Sequence, residues 1–190
     1  MTESRLVAAA RDWVVDRYPY NRDHLVRSLE WLDRVAPGAS EAMRLATLTH
    51  DMERAFPGPD QPVAASLSDP DYLRAHSERS ARIVASWLRD KGADDALVTE
   101  VEALIRAHEI GGWSGADLVQ AADSLSFLDT NVDLFLGLVR SGRFTADEVR
   151  RKFESSRDRI RLPHLRALAE PIAARAVARL EVLETELATR

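Results

Sequence analysis

Four of the five histidines in this chain and two of its aspartates occur in the order His24, His50-Asp51, His76, His108, Asp123. Imidazole nitrogen and carboxylate oxygen together suit divalent iron, manganese, zinc, nickel or cobalt. The chain has no cysteine. Disulfides, thiolate sites and cysteine nucleophiles are therefore excluded, and any metal site must be built from nitrogen and oxygen. The ordered set is what a two-metal site needs. Two neighbouring divalent ions lower the pKa of water enough to give hydroxide near neutral pH, and they neutralise charge on a phosphoryl oxygen.

Helices must position these residues. Helical periodicity runs the whole length and alternating strand-like runs are absent, so the expected fold is all-α. A first helix is expected over about 4 to 17, ending before Pro19. A second runs from about Arg22 to Ala36, with His24 in its first turn beside Leu25, Leu29 and Leu32. A third follows Ser40 as N-cap, with Leu45, Leu48, Met52 and Phe56 on one face and Thr47, His50, Asp51 and Arg54 on the other. The run Pro57-Gly58-Pro59-Asp60-Gln61-Pro62 cannot be helical. Asp69-Pro70 opens a helix that reaches Lys91, with His76 in line with Leu73, Ser80, Ile83, Val84 and Trp87. The next covers about 95 to 109, and His108 ends its stripe of Leu97, Val101, Leu104 and Ile105. His76 and His108 thus both point inward, where each imidazole needs a polar partner. Ser114 opens a helix through Asp123 toward Arg140, broken near Asp129 to Asn131. Thr145 and Glu148 form a capping box. Leu165, Leu168, Ile172, Ala176, Leu183 and Leu187 give the last helix, after Pro163, an apolar face with a structural role.

At 190 residues, 45% apolar and 30% charged, the chain fits one domain, residues 1–190, with the ligand-bearing core at about 20–135 and helices at about 145–190 packed on it. Its net charge of -5 is interspersed rather than blocked, which argues against a nucleic-acid polymer as partner. No apolar run is long enough to span a membrane, and the start Met1-Thr2-Glu3-Ser4-Arg5 lacks a leader's apolar stretch. A cytoplasmic protein is the expectation.

The order His, His-Asp, His, His, Asp on consecutive helices resembles the HD-domain metal-dependent phosphohydrolase superfamily. Leu48-Thr49-His50-Asp51-Met52-Glu53-Arg54 is similar to the hydrophobic-His-Asp-Ile-Gly-Lys core of many members, and Ala121-Ala122-Asp123-Ser124-Leu125 to the helix that supplies the last ligand. The resemblance implies an HD-domain-like helical bundle with the metal site between central helices. It implies that His24, His50, Asp51 and Asp123 bind one ion, while Asp51 bridges to a second held by His76 and His108. Iron or manganese is favoured, with zinc, nickel, cobalt or magnesium as further candidates. The substrate would be a nucleotide, dinucleotide or other small phosphate ester. Asp51 would also orient the attacking water, with Arg54 as phosphate clamp and Arg79 as a weaker substrate-binding candidate. Glu53 departs from the pattern, standing where Gly is common. It either selects a less anionic substrate or turns away from the site.

Two readings compete with hydrolysis. Some relatives use a mixed-valent di-iron centre with this ligand order to cleave carbon bonds in inositol or phosphonates, and Tyr20, upstream of His24, matches loosely a tyrosine that reaches iron in one of them. A non-catalytic binding module is the other, disfavoured because all six ligand positions are filled. Trp113, after Gly111-Gly112, is either a wall for a base or a packing residue. His164 is an ordinary surface or packing residue, and the 57–62 loop is a candidate lid.

Overall fold

Apolar residues at helical spacing, with capping side chains at the starts, set the element boundaries. The computed structural model describes residues 3–63, 66 and 69–189. Within them the chain forms α1 (Arg5–Arg17), α2 (Arg22–Val35), α3 (Glu41–Thr49), a 3-10 turn (Met52–Ala55), α4 (Pro70–Asp90), α5 (Asp95–Ala107), α6 (Ser114–Thr130), α7 (Val132–Arg140), α8 (Ala146–Asp158) and α9 (Pro163–Ala188), and no strand. The chain is all-α, and no described helix is long and apolar enough to cross a membrane. Met1 and Thr2, the first residues of the stretch inspected for a leader, lie outside the described residues.

Ser4, Ser40, Asp69, Asp94 and Thr145 each accept a first-turn backbone N–H, pairing donors that a helix start leaves free. The capping box forms as expected: Thr145 Oγ1 accepts from the Glu148 N–H at 3.2 Å, and the Glu148 carboxylate accepts from the Thr145 N–H at 2.8 Å. The expected break between α6 and α7 falls at Asn131.

Helix α6 is the axis of the fold. Every residue from Val119 to Leu128 is buried, and a helix buried all round needs partners all round. It has them in α2, α3, α5, α8 and α9. Ala121, Ala122, Ser124 and Ser126 keep its surface thin enough for close approach. Helix α4 packs on α5, and α3 on α1, α2 and α5. The buried apolar side chains form one cluster from Val7 in α1 to Leu183 in α9.

Two expectations are corrected. The third helix does not continue to Phe56: α3 ends at Thr49 and the chain tightens into the 3-10 turn after Asp51. A tertiary contact competes here, because the Glu53 N–H donates to Ser80 Oγ on α4 at 3.1 Å. The face of Thr47, His50 and Asp51 is buried as deeply as the apolar one. In α9 the buried face is Leu165, Ala169, Ile172, Ala173, Ala176, Leu180 and Leu183. Leu168 and Leu187 are 45% and 38% exposed, since Leu168 falls off the edge of this stripe and the last turn projects beyond the core.

Candidate metal centre

Five consecutive helices deliver the six residues to one place. His24 comes from the first turn of α2, His50 caps the C-terminus of α3 and Asp51 follows it, His76 lies on α4, His108 caps α5, and Asp123 sits midway along α6. None of the six is more than 5% exposed. Their donor atoms form three triads, His24-His50-Asp51, His50-His108-Asp123 and Asp51-His76-His108, each with its atoms within 4.8 Å of one another. Asp51 belongs to two of them.

Hydrogen bonds at Nδ1 fix the orientation of every ring. His50 Nδ1 lies 2.8 Å from the Thr47 carbonyl and His108 Nδ1 2.7 Å from the Ile105 carbonyl. A carbonyl only accepts, so each Nδ1 carries the proton. His76 Nδ1 donates likewise to Glu53 Oε1 at 3.0 Å. His24 Nδ1 lies 3.0 Å from Ser126 Oγ, whose single proton goes to the His24 carbonyl at 2.7 Å. Ser126 therefore accepts from Nδ1–H as well. All four rings are thus anchored at Nδ1 and turn Nε2 toward the carboxylates, the orientation that metal-binding histidines adopt. Nε2 of His50, His76 and His108 is buried and has no hydrogen-bond partner among the described residues.

The spacing fits ligation. Metal–donor bonds of about 2.1 Å place two donors about 3.0 Å apart at right angles and about 3.4 Å apart at tetrahedral angles. His76 Nε2 is 2.9 Å from Asp51 Oδ1, and the Nε2 atoms of His24 and His50 are 3.2 and 3.3 Å from Asp123 Oδ1. Buried His and Asp groups at these distances can hold a metal ion.

Electrostatics agree. Burial alone pushes His50 down, but Asp123 and Asp51 outweigh it and raise the imidazole to about 9. The cluster thus favours positive charge at that point. Burial opposes ionisation of Asp51, yet Arg54 and His50 hold it well below the usual carboxylate range. Asp123 is held down in the same way by Arg159 and His50. Both carboxylates stay available as anionic ligands.

Several residues around the cluster escaped the sequence reading. Arg159, at the end of α8, bonds Asp123 Oδ2 and Glu109 Oε2, and its Nε donates to Ser124 Oγ at 2.7 Å. Glu109 Oε1 lies 3.6 Å from His108 Nε2. Lys152, two turns before Arg159 on the same face of α8, lies with its ammonium 5.2 Å over the Phe127 ring. Burial pushes that ammonium below the usual lysine range, in the field of Glu109, Arg159 and Asp123. The segment read as structural packing thus also reaches the cluster. The Gly111 turn helps to seat Glu109: at a φ of +71° a Cβ there would come within 2.4 Å of Asp117 Oδ1.

Other candidates fall as follows. Arg54 Nη1 bonds Asp51 Oδ2, and its side chain remains 30% exposed at the edge of the cluster. Arg79, expected as a weaker substrate-binding residue, is instead engaged by the protein: Nη1 donates to the Glu53 carbonyl at 2.8 Å and Nη2 to Asp60 Oδ1 at 3.0 Å. Glu53 is turned inward onto His76. The Tyr20 hydroxyl donates to the Arg54 carbonyl at 3.0 Å, and its side chain is exposed. Trp113 borders a groove with Gly38, Ser40, Met43 and Glu100 that includes none of the six residues. His164 is exposed at the start of α9. No family model, curated protein or solved structure matches the chain, so the candidate centre stands on its own geometry.

Proposed function

We propose that this chain is a metal-dependent phosphohydrolase of the HD-domain superfamily, acting on a nucleotide, dinucleotide or other small phosphate ester. The observation that carries the reading is the convergence of four Nδ1-anchored imidazoles on Asp51 and Asp123 from five consecutive helices. That order of delivery supports an HD-like bundle. In this reading His24, His50, Asp51 and Asp123 hold one ion, and His76 and His108 hold a second that shares Asp51. His50 and His108 also fall in two triads, but Asp51 is the carboxylate that does, and its two oxygens could serve both ions. Nitrogen and oxygen donors suit iron, manganese, zinc, nickel or cobalt alike, and it is the resemblance that favours iron or manganese.

Bound there, the ions supply a lowered water pKa and charge neutralisation at a phosphoryl oxygen. The chain's own residues do the rest. Asp51, kept ionised by Arg54 and His50, orients the attacking water through its carboxylate. The exposed edge of Arg54 offers N–H donors to a phosphate oxygen. Lys152, stacked on Phe127 rather than paired with a carboxylate, is a second cation facing an anionic substrate. Burial of the four rings keeps bulk water from competing for their nitrogens.

The test is phosphate release from a panel of nucleotides and phosphate esters, without oxygen, by protein loaded with Mn²⁺ or Fe²⁺. Metal-dependent, oxygen-independent release is expected. Oxygen consumption with no release from any ester would replace this reading with the di-iron oxygenase.

A further inference from the structure

Glu53 is 1% exposed, and a buried carboxylate is costly unless its lone pairs are met. Here they are. Glu53 Oε1 accepts from His76 Nδ1 at 3.0 Å, Oε2 faces Arg79 Nη1 at 3.3 Å, and the same guanidinium nitrogen donates to the Glu53 carbonyl at 2.8 Å. The other end of Arg79 donates to Asp60, in the 57–62 segment, at 3.0 Å. The three other rings of the cluster are anchored on neutral acceptors, Ser126 Oγ, Thr47 O and Ile105 O. Among them only His76 is backed by an anion.

We propose that Glu53 is the positioning residue for the His76 half of the metal centre, and that Asp60 and Arg79 tie the 57–62 segment to that half through it. The inference rests on the metal reading of the cluster. A carboxylate accepting Nδ1–H holds the lone pair on Nε2 and makes the ring a stronger donor than a carbonyl would. Without such support His76 is free to carry its proton on Nε2, where it cannot ligate. Arg79 holds Glu53 in place, so the chain Asp60, Arg79, Glu53, His76 runs from an exposed loop to a donor atom with no gap longer than 3.3 Å.

Glu53→Gln tests this sharply. One oxygen becomes an NH₂, which must face either Arg79 or His76. Arginine cannot give up a proton and histidine can change tautomer, so the amide turns its carbonyl to Arg79 and its NH₂ to Nδ1. His76 is then driven to the Nε2–H form. The measurements are ¹⁵N NMR of the His76 ring in the metal-free chain and a Mn²⁺ titration followed by electron paramagnetic resonance. Wild type is expected to show Nδ1–H at His76 and two bound Mn²⁺. Glu53→Gln should show Nε2–H and bind one of the two ions about 10–100-fold more weakly, the other unchanged. Asp60→Ala should weaken the same ion by less. A wild-type His76 whose Nδ1 carries no proton would overturn the proposal with no variant needed. So would a Glu53→Gln chain that binds both ions as wild type does, or loses both equally, while two ions in wild type leave the metal reading standing. A wild type that binds no Mn²⁺ removes the metal reading and this proposal together.

Discussion

A histidine is readied as a ligand when one ring nitrogen is tied down, and this chain anchors Nδ1 four times with different acceptors. Of the candidate ligands, His76 and His108 were legible because they end or continue apolar stripes and so had to be buried, while His24 and Asp123 were marked only by the resemblance. Their acceptors were not, since Thr47 and Ile105 act through backbone carbonyls and Ser126 lies 102 residues from His24. Arg159 was hidden for a similar reason: it is 36 residues from Asp123 and 50 from Glu109, on a helix marked in the sequence only by its capping box. Removing a ligand should sort the two halves. His108→Ala should leave one metal per chain and Asp51→Asn none, by elemental analysis; two metals in His108→Ala would refute the ligand assignment. Arg54→Ala should lower kcat/KM for a phosphate ester by about 10–100-fold, the worth of a charge-assisted hydrogen bond. Steady-state kinetics would show it, and an unchanged value would remove Arg54 from the substrate. Arg159→Met leaves Asp123 and Glu109 without their shared cation. It should cost about 2–3 kcal/mol in urea unfolding of the metal-free chain, somewhat less than a fully buried pair because Arg159 is partly exposed.

Element boundaries followed from caps, prolines and glycines, all of them local signals, and the structure departs from them where a distant contact intervenes. The Ser80 hydroxyl ends α3 early by taking the Glu53 N–H, and no pattern within α3 announces it. The early end turns Asp51 toward His76 and Glu53 under it. Close packing of α2 on α6 was partly legible in Ala121-Ala122, and Ala122→Leu should cost about 1–3 kcal/mol by overpacking, read in chemical unfolding; a neutral result would mean that the contact is loose. The capping box of α8 gives a pH signature. Bonds from the Thr145 N–H and hydroxyl lower the Glu148 carboxyl below its ordinary 4.5. A depressed acid contributes stability above its ordinary value and loses it as pH falls through the lower folded value. A ¹³C titration should therefore find the Glu148 midpoint below 4.5 in wild type and return it toward that value in Thr145→Ala.

Across the whole molecule, one apolar cluster ties α1 to α9, and the cluster of donors hangs from five of its helices at once. On the proposed metal reading, binding and folding are coupled, because the unfolded chain cannot assemble donors that lie up to 99 positions apart in sequence, from His24 to Asp123. An ion at a hundredfold excess over its dissociation constant stabilises by about 2.7 kcal/mol. For a chain of this size that raises Tm by about 5–10 °C, so chelation should lower the midpoint by that much in differential scanning calorimetry. The most direct test of the account is the metal content of the wild-type chain, purified without chelator and then equilibrated with Mn²⁺ or Fe²⁺, by elemental analysis. Two ions per chain are expected; a chain that retains none would refute the proposed metal centre.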